Sequence, residues 1–166
     1  LEENFKDKIP ELSGDGGSYW EDGAASTARE TAVNRITHDR LIQAEKLSAF
    51  LDMIDSQRWI YPSEELSKAW ENVIFFDEHT WGAYNSVSNP DDPSVKRQWE
   101  IKRNFAYKAA KITRELLNLS LQTLSSYIPI DRPSIIVFNM NSWEITDIAK
   151  VDLESILKLG YSLNNL

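Results

Sequence analysis

Nine residues fall at every third or fourth position between Val95 and Thr123, and this run constrains the chain more than any other feature. They are Val95, Trp99, Lys102, Phe105, Ala109, Ile112, Leu116, Leu119 and Thr123. That spacing lines one face of a long α-helix. Lys102 fits the stripe because its stem can lie along the seam while its charge stays in water. Asp92 followed by Pro93 marks the start, since proline at the first helical position sacrifices no hydrogen bond. Pro129 and Pro133 end the helical region.

Two further helices precede it. From Ser26 to about Asp55, residues Val33, Ile36, Ala44, Leu47, Leu51 and Ile54 recur with helical spacing apart from one longer gap, and Ser26 suits the N-cap. A second helix starts at Ser63 after Pro62. Glu64 and Glu65 stand where the helix dipole favours negative charge. Its stripe is Leu66, Ala69, Trp70 and Val73, and it fades near Phe76, before Gly82. Residues 88–93 are a loop by composition.

Beyond Pro133 the period changes. Ile135 to Phe138 is a short β-branched and aromatic run, Asn139 to Ser142 reads as a turn, and the stretch from Trp143 to Leu153 largely alternates apolar with polar. Two strands make only a marginal sheet. The expected fold class is therefore mainly α: a three-helix bundle followed by a short, truncated β segment. The expected divisions are an N-terminal loop region at 1–25, the bundle at 26–130, and the start of a C-terminal β domain at 131–166.

Composition narrows the function. A net charge of −8 with no basic cluster disfavours nucleic acid, whose phosphates call for a basic surface. No apolar run reaches the length of a membrane span. The absence of cysteine excludes disulfides and thiolate metal sites and is compatible with any compartment, so localisation is not indicated. Leu1 is not a natural start and no signal peptide is visible, which reads as an excised or processed chain.

Two clusters can carry chemistry. Asp77, Glu78, His79, Thr80, Trp81 and Gly82 close the second helix. They place carboxylates and an imidazole, suited to metal or acid–base roles, beside an indole face on which a sugar ring can stack. The competing reading is a solvated helix end, with His79 favouring the negative end of the dipole. Local ligands do not complete a metal site, because His38 and His79 are the only histidines, and His38 reads as a surface residue. The second cluster spans residues 14–23, where Tyr19 and Trp20 beside Glu21 and Asp22 suit sugar hydroxyls and ring faces, or simply form a turn packed on the bundle. It lacks the P-loop Lys-Ser/Thr and the EF-hand spacing. Arg40, Glu45, Lys46, Lys108 and Arg114 read as solvated faces, and Trp70, Trp99 and Phe105 as core.

The order of motifs over residues 11–153 resembles glycoside hydrolase family 38, the α-mannosidases. The residues that carry the likeness are Gly17-Ser18-Tyr19, then Asn34-Arg35 and Ala44-Glu45 on one helix. Glu78-His79-Thr80 follows at the end of the next, and Val137-Phe138-Asn139 with Ser142-Trp143 comes after the long helix. The resemblance implies a part of a retaining, zinc-dependent α-mannosidase acting on terminal α-mannosides or related glycosides. It implies His79 as a zinc ligand, with Tyr19, Trp20, Asp77, Glu78 and Trp81 shaping the substrate site. Glu78 and Thr80 stand where the family usually has His and Asp. The nucleophile and the other zinc ligands are implied to lie in an N-terminal α/β domain to which nothing here corresponds. The expected partners are thus a carbohydrate, that catalytic domain and a C-terminal β domain, and the chain alone is expected to be inactive. Two other readings stay open: a noncatalytic helical module that binds carbohydrate or protein, and a parent that keeps the fold without catalysis.

Overall fold

The computed structural model describes residues 13–14, 27–78, 85, 88–131, 134–152 and 154. Three helices run in sequence: α1 (Ala28–Asp55), α2 (Ser63–Asp77) and α3 (Pro93–Ser126). At about 1.5 Å per residue, α3 is roughly 50 Å long and about twice the length of α2. It is the spine against which both α1 and α2 pack, and the contact between α1 and α2 is smaller.

The boundaries follow from local chemistry. The Asp92 side chain accepts the backbone N–H of Ser94 at 2.7 Å, with Pro93 in the first turn, as the sequence predicts. These bonds hold the Asp92 carboxyl below its ordinary pKa, the Ser94 hydroxyl contributing most and the Ser94 N–H next. α2 begins at Ser63 with Glu64 and Glu65 in its first turn, and Lys68 donates to Glu64 one turn on, at 2.7 Å. For α1 the N-cap position falls on Thr27 rather than Ser26.

The buried face of α1 differs from the expected one. It consists of Asn34, Thr37, Leu41, Ala44, Leu47, Ser48 and Leu51, whereas Ile36 and Ile54 are about half exposed. On α3 the seam runs through Ala106, Ala109, Thr113, Leu116, Ser120 and Leu124, and Leu119 lies outside it. Apolar spacing located each helix, but the faces are set by close approach, which selects Ala, Ser and Thr at the contact. Ser48 and Ser120 satisfy each other across the α1–α3 seam, their hydroxyls 3.3 Å apart.

The core has two parts. One gathers Leu41 and Ala44 of α1, Leu66, Ala69 and Val73 of α2, and Ala109 and Leu116 of α3. The other, toward the end of α1, joins Leu47, Leu51 and Leu124 to Trp59 from the α1–α2 connection, with Phe138 and Met140 packed on its edge. At that end the Tyr127 hydroxyl donates to Asp55 at 2.8 Å, which raises the tyrosine pKa.

Among the described residues there is no strand, so the mainly α class holds without the β segment expected after Pro133. The turn at Asn139 is present: its side chain donates to the Trp143 carbonyl at 2.7 Å and accepts the Asn141 N–H at 3.0 Å. The flanking runs leave Ile135, Val137, Trp143, Ile145, Ile148 and Val151 exposed. Segments without paired neighbours lack the ladder that defines a strand.

Candidate functional site

The end of α2 is gripped from both sides. From α1, the Asn34 amide donates to Asp77 Oδ1 at 2.8 Å. From α3, the Lys102 ammonium reaches three acceptors: Glu78 Oε2 at 2.8 Å, the Glu78 carbonyl at 3.1 Å and the Phe75 carbonyl at 3.3 Å. As expected, most of the Lys102 side chain lies against the seam, 14 % exposed, while its ammonium bonds at an exposed corner. The last carbonyls of a helix have no intrahelical donor and form the negative end of its dipole, so they draw the cation inward. One residue thereby caps α2 and neutralises the carboxylate of Glu78.

Glu78 itself leaves the helix with φ −59° and ψ 131°, while its N–H still bonds to the Ile74 carbonyl. The chain exits from a fixed point. Phe75 stacks on Phe105 of α3, ring centroids 5.3 Å apart, and reinforces the same corner. Nearby on the bundle, the Tyr107 hydroxyl donates to Glu30 at 2.6 Å, joining the first turn of α1 to α3. That bond is the largest influence raising the Tyr107 pKa.

Asp77 and Glu78, both expected at the substrate site, are thus adjacent and exposed, with Asp77 hydrogen-bonded from α1 and Glu78 from α3. Tyr19, Trp20, His79 and Trp81 lie outside the described residues. Zinc takes four ligands from imidazole, thiolate and carboxylate donors. Among the described residues no three such side chains come together. His38 is on α1, edge-on to Trp70 with ring centroids 5.2 Å apart, a pairing two turns of α2 before Asp77.

Sequence reasoning missed Asn34 and Lys102 as parts of this corner. Asn34 is 2 % exposed, and its Oδ1 has no hydrogen-bond partner. The signal for it was present in the three- and four-residue ladder 34, 37, 41, 44, 48 and 51, which becomes visible once polar residues are allowed on a buried face. Glu45 is corrected in the same sense: it is no idle surface charge, because it accepts the Trp70 indole N–H at 3.3 Å.

A family model of the alpha mannosidase middle domain matches residues 18–124, more than half of the chain and nearly the whole bundle. The chain belongs to this family. No curated protein and no solved structure matches it. The middle-domain match covers the Asn34-Arg35, Ala44-Glu45 and Glu78-His79-Thr80 motifs, and it ends before the segment expected to open a β domain. No helix among the described residues is long and apolar enough to cross a membrane.

Proposed function

We propose that this chain is the middle domain of a longer, retaining, zinc-dependent α-mannosidase and supplies one wall of its sugar and metal pocket. The observation that carries the reading is the coincidence of the family match with the braced end of α2, where Asp77 and Glu78 stand together immediately before His79. Retaining hydrolysis uses a carboxylate nucleophile and a second carboxyl group as acid and then base. Neither role is assigned to this chain.

Its own residues bind and orient. Asp77 and Glu78 accept hydrogen bonds from hydroxyls of the sugar, and Trp81, Tyr19 and Trp20 offer ring faces to its apolar side. His79 donates one imidazole nitrogen to zinc, and the remaining ligands come from a catalytic α/β domain. When bound, the metal orients sugar hydroxyls and stabilises developing charge. Residues 131–166 begin the β domain that follows, so divisions near 25/26 and 130/131 bound the bundle.

The test is hydrolysis of an aryl α-mannoside. The full-length protein is expected to turn over with retention of anomeric configuration, and the isolated 166-residue chain is expected to be inactive. Turnover by the chain alone overturns the division of labour.

A further inference from the structure

We draw no further inference here: the strongest candidate, the open cleft between α1, α3 and residues 135–151, has two acids (Asp39 and Asp147) and two lysines (Lys46 and Lys150) in its lining beside the exposed apolar side chains of Ile135 and Val137, so its charge favours no class of ligand and nothing in the structure shows what covers it.

Discussion

Asn34 concentrates the residue-scale logic of this domain. Its single hydrogen bond to a carboxylate crosses from α1 to α2 in a part-buried setting. Asp77 is exposed, so water takes over the lost bond, and Asn34→Ala is expected to destabilise the chain by no more than about 1 kcal/mol in urea denaturation. The Ser48–Ser120 pair behaves differently because both partners are buried and neutral. Either single alanine leaves a hydroxyl without its partner and costs about 1 kcal/mol or more. The double replacement Ser48→Ala with Ser120→Ala is close to neutral, so a double-mutant cycle shows strong coupling between the sites. Additive losses would mean that the two hydroxyls do not bond. Polar residues of this kind were the least legible in the sequence. A period of three or four identifies a helix, but the rule that apolar residues go inside assigns Asn34, Thr37 and Ser48 to the wrong side of it.

The third helix shows what the sequence states clearly. Its start was readable in Asp92-Pro93, because capping is local chemistry between neighbours. The Asp92 carboxyl is held below its ordinary pKa, so the folded chain favours the ionised form. That contribution is complete above about pH 4 and is lost as the pH falls through the lowered folded-state value. Asp92→Ala is therefore expected to be less stable than the unmodified chain at pH 7, with the difference shrinking toward pH 2 in paired thermal melts. A constant difference would show that ionisation of the cap plays no part. The middle of α3 depends on small residues. Ala109 is fully buried between α1 and α2, and Ala109→Leu forces the helices apart at a cost of about 1–3 kcal/mol. Lys102 was legible as a seam residue and not as a cap, since its partners lie 24 and 27 residues away and no local spacing encodes them. The β segment after Pro133 was read from a β-branched run, an alternating stretch and the family resemblance. Alternation gives the faces of a strand but not the partner that makes it one, and among the described residues no such partner is present.

At the scale of the molecule, three helices meet so that the end of α2 is fixed by both of its neighbours, and the residue that follows Glu78 is a histidine. The family was legible in the order of short motifs, and the family match bears that out over the bundle. The substrate and metal assignments go further and stand as proposals. The most direct test is the zinc content of the full-length protein, measured by elemental analysis after exhaustive dialysis, with and without His79→Ala. The account predicts zinc bound to the unmodified protein and most of it lost from the variant, with the helical circular dichroism retained. Equal zinc in the two proteins would contradict it, because His79 would then hold no metal.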